Sequence, residues 1–241
     1  MAVPEEVRAD LARLELEVSA EQLERLDGYL QRVLEKNRRM NLTAFKEEGV
    51  AWRRLIVDSL TAAPGLPEPG AGDGAPVADV GTGGGFPGVP LAIVRPDLRF
   101  NLIETTAKKA EFVNEAAAAV GADNVTVINE RAEVVGRHPD YRGVHAVVLS
   151  RAVGAVAVML EWSMPLAAVG GRVLMMKGPR AEEELAAASD ALAKLGAGDV
   201  AVIDAYPEGF DNQLVFVSVV KAERTAGKYP REVGAAKREP L

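Results

Sequence analysis

Polar and apolar residues follow a helical pattern in the first quarter of the chain. Apolar residues recur every three or four positions from Leu23 to Leu34, behind a Ser19/Gln22 pair of the capping-box type. A second stretch with this spacing runs from about Glu47 to Ala62. Residues 1–63 are therefore predicted to form a helical cap. The side chains expected to face inward from the second stretch are Trp52, Leu55, Ile56 and Leu60.

Short apolar runs separated by helical stretches follow, after a Pro/Gly-rich segment over residues 64–76 that is predicted to be a linker. This alternation indicates β–α–β units and a mostly parallel sheet over residues 77–221, with the ligand beyond the carboxyl ends of the strands. The last two strands are separated only by a turn around residues 207–212, so they should pair antiparallel at one edge. The predicted strands are Val77–Val80, Arg99–Ile103, Val125–Ile128, Val144–Leu149, Gly171–Met176, Val200–Ala205 and Leu214–Val220, and the predicted helices include Val89–Val94, Ala107–Val120 and Arg180–Leu195.

Composition narrows the class of protein. A chain of 241 residues with 48% hydrophobic and 26% charged residues is typical of one globular domain with an appendage. The absence of cysteine excludes disulfides and thiolate metal sites, and with only His138 and His145 no metal is expected. His145 lies in a predicted buried strand, where a core role is favoured. No signal-peptide core and no apolar run of the ~18 residues that a membrane helix needs are present, so a cytoplasmic protein without a membrane partner is predicted.

The glycine-rich segment Asp79–Gly88 joins the first predicted strand to a helix and predicts a cofactor site. Glycine lets a ligand approach the main chain, and the N–H groups of the following helix face that ligand. Pro87 is expected in the first helical turn. One register, Gly83, Gly85 and Gly88, fits the dinucleotide fingerprint. The other, Asp79-x-Gly81-x-Gly83-x-Gly85, is similar to the first motif of S-adenosylmethionine-dependent methyltransferases, and its acid suits a cationic ligand better than a diphosphate.

Polar residues stand at the ends of the later strands. Glu104 ends the second strand, where an acid can accept hydrogen bonds from ribose hydroxyls. Residues 129–133 could hold an adenine ring, although a charged helix start explains them nearly as well. Arg151 ends the fourth strand at the predicted pocket mouth, where it could contact a phosphate or a base. Lys177 ends the fifth strand and could play a part comparable to that of Arg151. A solvated surface lysine is an equally good explanation of this residue.

Residues 222–241 form a tail that is predicted to be a loop. From Lys221 onward the chain has six basic and three acidic residues, although its net charge is −7 overall. This net charge argues against indiscriminate nucleic-acid binding but is compatible with a local basic face. A solubilising role is the alternative to RNA contact. The residues predicted to bind RNA are Lys228, Tyr229, Arg231, Lys237 and Arg238, with Tyr229 free to stack on a base.

Taken together, these residues resemble the small-subunit ribosomal RNA methyltransferase G family, also called the glucose-inhibited division protein B family, over nearly the whole chain. Many members have histidine where this chain has Leu55, and the tail usually has a proline where this chain has Ala235-Ala236. The landmarks are Asn41-Leu42-Thr43, Asp58-Ser59-Leu60, Asp79–Gly88, Leu102-Ile103-Glu104 with Lys108-Lys109, Arg131-Ala132-Glu133, Ser150-Arg151-Ala152, Lys177-Gly178, Lys228-Tyr229-Pro230-Arg231 and Pro240-Leu241.

The resemblance implies a Rossmann-like methyltransferase fold with a seven-stranded sheet. It also implies methyl transfer from S-adenosylmethionine to N7 of a guanine in the decoding region of 16S rRNA, on free rRNA or on the small ribosomal subunit, by a protein expected to be a monomer. By family pattern the cofactor contacts are Gly81, Phe86, Ala132, Glu133 and Arg151, with Glu104 at the ribose.

Guanine N7 has a free lone pair, so no general base is expected, and Arg151 and Lys177 are hypothesised to position the substrate. A small-molecule methyltransferase, a nicotinamide-dependent oxidoreductase and an RNA-binding module without activity are the alternatives.

Overall fold

A computed structural model describes residues 3–68, 74–151, 154–210 and 212–241. Residues 69–73 of the predicted linker, Ala152 of the Ser150-Arg151-Ala152 motif and Asp211 of the predicted last turn lie outside these ranges. All seven predicted strands are present, with ends that differ by a few residues. They are β1 Val77–Val80, β2 Phe100–Ile103, β3 Val125–Ile128, β4 His145–Arg151, β5 Ala167–Lys177, β6 Ala197–Asp204 and β7 Val215–Lys221.

The strands form one sheet in the order β3-β2-β1-β4-β5-β7-β6. Strands β1 to β5 are parallel, and β7 runs antiparallel between β5 and β6, which confirms the predicted antiparallel pair at one edge. The strand order reverses between β1 and β4, the two strands that flank the switch point. Open sheets of this type bind ligands at the switch point, beyond the carboxyl ends of the strands.

Four helices precede the sheet in the described part of the chain. The capping box of α2 is present, because Ser19 Oγ accepts a 3.1 Å hydrogen bond from Gln22 N and Gln22 Oε1 accepts one of 2.9 Å from Ser19 N. These helices are α1 Glu5–Arg13, α2 Ala20–Asn37, α3 Glu48–Ala51 and α4 Asp58–Leu60, with a π-helical turn Trp52–Val57 between the last two and a 3₁₀ turn Ala63–Gly65 after them.

The other helices alternate with the strands or follow them. Pro87 lies immediately before α5 and not in its first turn as predicted, since Gly88 begins the helix and supplies an N–H to Asp79. These helices are α5 Gly88–Val94, α6 Ala107–Ala119, α7 Ala132–Val135, α8 Val156–Ser163, α9 Ala181–Ala186, α10 Ser189–Leu195 and α11 Ala235–Arg238.

Two predictions of secondary structure are corrected. The helix predicted over Arg180–Leu195 is divided into α9 and α10, and the second begins at Ser189, a residue type that favours helix starts over helix interiors. The tail is not wholly a loop. Gly234 adopts φ 81°, and the good helix formers Ala235 and Ala236 continue from it as α11.

Each face of the sheet buries its own apolar cluster. On the first face, Val77, Phe100 and Leu102 pack against α5, α6 and the cap, with Leu26 and Trp52 fully buried. The four cap side chains predicted to face inward from Glu47–Ala62 are buried there, each contributing about 1.5–3 kcal/mol. The second face packs against α8 to α10 and the tail. The first core therefore runs across the predicted boundary at residue 63.

His145 is a core residue, as the sequence favours. It is fully buried, its Nε2 lies 3.0 Å from Asn101 Nδ2, and its Nδ1 lies 3.0 Å from the Leu166 carbonyl oxygen. Burial lowers the pKa of the imidazole below its ordinary value, so the neutral ring is favoured.

Candidate active site

The glycine loop is fixed from below by the cap. Tyr29 of α2 donates a 2.8 Å hydrogen bond to the Gly84 carbonyl and packs edge-on against Phe86, with ring centroids 5.7 Å apart. Gly85 adopts φ +87°, and a Cβ at this position would lie 2.0 Å from the Tyr29 hydroxyl oxygen. Only glycine fits there, so the close packing of the cap against the loop depends on this residue.

Asp79 organises the loop from behind. Its buried Oδ2 accepts hydrogen bonds from Thr82 Oγ1 at 2.7 Å and from Gly88 N at 3.0 Å, whereas its Oδ1 is buried with no hydrogen-bond partner among the described residues. Burial raises the pKa of this carboxyl to about 6, against the opposing effect of the two hydrogen bonds. Asp79 and Gly85 do not line the cavity described next, so direct cofactor contact by these two stays a prediction.

A cavity of about 420 Å³ lies at the carboxyl ends of β1, β2 and β4. Its wall includes seven of the nine residues that the sequence assigned to the cofactor, namely Gly81, Gly83, Phe86, Glu104, Ala132, Glu133 and Arg151. Leu55, where many family members have histidine, lines it too. Other lining residues, which the sequence did not assign, include Leu42, Thr43, Phe45, Lys109 and Trp162.

Glu104 connects the end of β2 to the glycine loop. Its Oε2 accepts a 3.0 Å hydrogen bond from Gly83 N, and its Oε1 accepts one of 2.7 Å from Thr106 N. The residue is only 7% exposed, so both bonds are held in a fixed geometry. Each carboxylate oxygen has two lone pairs, which leaves acceptor capacity for hydroxyl groups of a ligand.

A buried network of polar residues surrounds Arg151. The Asp58 carboxylate lies 3.6 Å from Arg151 Nη2 and 3.8 Å from Arg54 Nε, and its other oxygen accepts hydrogen bonds from Tyr206 Oη at 2.5 Å and Asn212 Nδ2 at 3.0 Å. Arg151 also donates to the Arg54 carbonyl. Its Nη1 is buried without a hydrogen-bond partner among the described residues. Burial lowers the pKa of the guanidinium, and Asp58 opposes that shift.

Lys177 does not line the cavity. Its Nζ donates to the Gly154 carbonyl at 2.6 Å and forms an ion pair of 2.6 Å with Glu184 of α9. The role predicted for Lys177 in positioning the substrate therefore has no support from this geometry. One interaction joins the end of β5 to the segment after β4, and the other joins it to α9.

The tail packs against the protein, and this contradicts the predicted stacking of Tyr229 on a base, whereas RNA contact by Lys228, Lys237 and Arg238 stays a prediction. Tyr229 is 5% exposed in the second core, so its ring is not available for stacking on a base. Arg231 forms a two-pronged ion pair with the buried carboxylate of Glu161, at 2.6 Å from Nη2 and 2.9 Å from Nε. A buried acid needs such a counter-charge, and Arg231 supplies it. Arg238 lies 3.2 Å from Glu232.

The end of the tail reaches the cavity. Gly234 N donates a 3.0 Å hydrogen bond to Glu133 Oε1, and Lys237 Nζ lies 5.1 Å from the centroid of the Trp162 ring. Lys237 lines the cavity, whereas Lys228 is exposed beside the Tyr229 ring. The tail therefore forms part of the cavity wall.

Sequence reasoning missed the residues that support the site from a distance. Tyr29 is on the apolar face of α2, so its burial was predictable from spacing, but its contact with the loop was not. Asp58 belongs to a landmark of the family resemblance that was given no role. Tyr206 and Asn212 have no signal in the sequence, because they reach Asp58 from about 150 residues away.

The residues present fit S-adenosylmethionine. The ligand has a cationic sulfonium, an amino group, a carboxylate and a ribose, and the cavity offers acids, a guanidinium with an unpartnered Nη1 and the carboxylate of Glu104. Among the described residues, no group of three or more histidine, cysteine or acidic side chains is arranged to hold a metal ion. No helix in those ranges has the length and apolar composition needed to cross a membrane.

Comparison with solved structures defines the class. The S-adenosylmethionine-dependent methyltransferase SibL superposes with a TM-score of 0.54 at 16% identity, over 90% of this chain and 74% of its own. A predicted O-methyltransferase from Agrobacterium tumefaciens gives 0.53 at 19% identity, over 70% and 82%. The fold is therefore that of the Rossmann-like S-adenosylmethionine-dependent methyltransferases.

Sequence comparison gives the family. A family model described as rRNA small subunit methyltransferase G matches residues 22–209. A relative named ribosomal RNA small subunit methyltransferase G from Sorangium cellulosum is 43% identical, over 86% of this chain and 84% of its own. Another of that name, from Lactobacillus delbrueckii subsp. bulgaricus, is 37% identical over 99% of both chains. This chain belongs to the rRNA small subunit methyltransferase G family.

Proposed function

We propose that this chain methylates N7 of a guanine in 16S rRNA, with S-adenosylmethionine as the methyl donor. The observation that carries the proposal is the end-to-end match to relatives named for rRNA methylation, combined with a cavity whose wall has the expected cofactor residues. The protein acts as a monomer on 16S rRNA or on the small subunit. Its substrate is made in the cytoplasm, which is where we expect the protein.

Different cofactor residues contact different parts of the ligand in this proposal. Glu104 accepts hydrogen bonds from the ribose hydroxyls, and the main chain at Gly81 and Gly83 allows close approach of the methionine end. Ala132 and Glu133 lie at the start of α7, where they border the adenine ring. Arg151 lines the cavity, and its guanidinium, whose buried Nη1 has no hydrogen-bond partner among the described residues, is proposed to pair with the ligand carboxylate or with the substrate.

The chemistry needs positioning more than proton transfer. When bound, S-adenosylmethionine supplies an electrophilic methyl group on a sulfonium. Guanine N7 has an unprotonated lone pair, so the protein's task is to hold the base in line with the methyl group and to exclude water.

The test is transfer of labelled methyl from S-adenosylmethionine to rRNA and small subunits from cells that lack this protein. The product is mapped by strand scission selective for N7-methylguanine. One labelled guanine in the decoding region is the expected result. Label at another position or on another atom would contradict the proposed specificity. No label on free rRNA or on subunits would favour the alternative of a small-molecule methyltransferase.

A second test concerns the cofactor contacts alone. Glu104→Gln removes the charge that Gly83 N and the ribose hydroxyls share, so we expect the affinity for S-adenosylmethionine to fall by about 1.5–3 kcal/mol, or roughly 10- to 150-fold. Isothermal titration measures this. Glu111→Gln, on the exposed side of α6, makes the same chemical change away from the cavity and should leave the affinity unchanged. Equal affinities for all three proteins would rule out the ribose role.

A further inference from the structure

Six basic residues lie near the end of α2 and at the start of α6. In the part of the chain that the structure describes, none of their side chains forms an ion pair or a hydrogen bond. Since the protein is negatively charged overall, a local group of unpaired cations changes what this surface attracts. We call this group the basic strip. Its members are Arg32, Lys36, Arg38 and Arg39 at the end of α2 and Lys108 and Lys109 at the start of α6.

The strip surrounds a groove of about 380 Å³ between α2 and α6. All four α2-side cations line it, with two carboxylates, Glu35 and Glu115, so the groove keeps an excess of positive charge. Phe112 forms the apolar floor, and Lys36 Nζ lies 5.9 Å from the centroid of its ring. Lys108 and Lys109 precede Phe112 by four and three residues, which places them on the same side of α6.

The strip continues into the cavity. Lys109 lines the cavity that the cofactor residues form, and so do Leu42 and Thr43 of the segment that follows α2. A polymer bound along the strip is therefore led to the point where methyl transfer is proposed to occur. A small anion would not need this continuity.

Helix stability does not explain the whole strip. Basic residues near the end of α2 interact favourably with its dipole, but Lys108 and Lys109 lie in the first turn of α6, where a cation is unfavourable. Arg38 is the C-cap of α2, where its charge also suits the dipole. The chain keeps Lys108 and Lys109 where their charges oppose the helix dipole, which favours an external anion as their partner.

We propose that the basic strip binds the phosphodiester backbone of the rRNA segment that leads the target guanine into the cavity. Guanidinium and ammonium groups bind phosphate oxygens without reading the base, so the strip supplies affinity and orientation but not sequence preference. This inference rests on the proposed function, and it assigns to α2 and α6 a contact with RNA that the sequence did not predict.

The test is the salt dependence of binding to a 16S rRNA transcript. In Arg38→Ala/Arg39→Ala, the slope of log affinity against log salt should become smaller by about 1.4 if both phosphates are in single-stranded RNA, which weakens binding about 25-fold at 0.1 M salt. The affinity for S-adenosylmethionine should not change. Arg38→Lys/Arg39→Lys keeps both charges and should keep the slope.

The matched control is Arg172→Ala/Arg224→Ala, which removes two exposed cations, one in β5 and one after β7, that line neither the cavity nor the groove. An unchanged slope in Arg38→Ala/Arg39→Ala, or an equal loss in the control, would overturn the assignment. Competition by 10 mM inorganic phosphate as effective as that by RNA would identify a site for small anions instead. If the unmodified protein methylates rRNA and the Arg38/Arg39 variants bind and methylate it equally well, the role of the strip is wrong and the proposed function stands. If the unmodified protein neither binds nor methylates rRNA, the proposed function fails.

Discussion

The conformation of the glycine loop depends on one carboxylate, that of Asp79, and burial destabilises its ionised form. Asp79 has no exposed surface, and its pKa of about 6 lies well above the ordinary value of 3.8. Keeping it ionised at neutral pH costs about 3 kcal/mol by the difference between these pKa values. The carboxylate nevertheless fixes Thr82 and Gly88 at the two ends of the loop. The protein therefore gives up stability to hold the loop in one conformation.

This cost predicts how stability depends on pH. Because the folded-state pKa of Asp79 is raised, the folded protein binds a proton more tightly than the unfolded chain between about pH 4 and pH 6. The contribution of Asp79 to the free energy of unfolding is thus present at low pH and is lost as the pH rises through 6. The unfolding free energy of the unmodified protein minus that of Asp79→Asn should fall by up to about 3 kcal/mol between pH 4 and pH 7.

Urea denaturation of both proteins at several pH values gives this difference directly. The loss of hydrogen bonds in Asp79→Asn shifts the difference by a constant and does not affect its slope. A difference that does not change with pH would show that folding leaves this pKa unshifted, and one that grows with pH would show that the loop stabilises the anion instead.

The residues of the site were predictable to the extent that they are local in sequence. The spacing of Gly81, Gly83 and Gly85 after a strand predicted the loop, and Glu104 at the end of the next strand followed from the same geometry. The support of Arg151 was not predictable in this way. Asp58, Tyr206 and Arg151 come from the cap, the β6–β7 connection and β4, and only the folded chain brings them together.

At the scale of elements, the tail is held to the protein by one buried ion pair and several main-chain contacts. Arg142 donates to the carbonyls of Thr225 and Tyr229, at 2.9 and 2.8 Å, and Arg231 neutralises Glu161 of α8. Glu161 is 1% exposed and would be an uncompensated charge without Arg231. Removal of residues 222–241 would therefore damage the second core, and it does not test RNA binding.

The tail offers a matched comparison of ion pairs. Arg231→Ala leaves the Glu161 carboxylate buried and unpaired, so we expect the free energy of unfolding to fall by about 3–5 kcal/mol. Arg238→Ala breaks the exposed pair with Glu232 three residues before the end of the chain, and the expected change is below about 0.5 kcal/mol. Urea denaturation of both variants checks this. Similar losses of unfolding free energy in the two variants would contradict the conclusion that the Arg231–Glu161 ion pair holds the tail to the protein.

The elements themselves were largely predictable, because each has a strong pattern over its own length. All seven strands and the α2 capping box follow from local signals. The errors occur where local signals are weak or where packing decides. Ala187 and Ala188 fit a continuous helix by composition, yet α9 ends at Ala186, and Ala235-Ala236 forms a helical turn inside a charged segment that has no apolar periodicity.

At the scale of the whole molecule, the cap and the sheet share one core. Leu26 and Trp52 of the cap pack in the same cluster as Val77 and Phe100 of the sheet, and Tyr29 holds the loop on which the cofactor is expected to bind. The cap would expose most of its apolar surface if it left the sheet. The boundary at residue 63 thus separates segments of the sequence, and the buried surface indicates one cooperative unit.

The two tryptophans make this cooperativity measurable, since each reports on a different face of the sheet. Trp52 lies in the first core, and Trp162 lies in the second. In Trp162→Phe the fluorescence follows the cap alone, and in Trp52→Phe it follows α8. Because the same sheet supports both cores, the fluorescence transition in urea should coincide with the circular-dichroism transition in each variant. If Trp52 fluorescence changed at lower urea than the circular dichroism of the same protein, the cap would unfold first. The glycine loop would then lose Tyr29 before the sheet opens, and cofactor affinity should fall in that same range of urea.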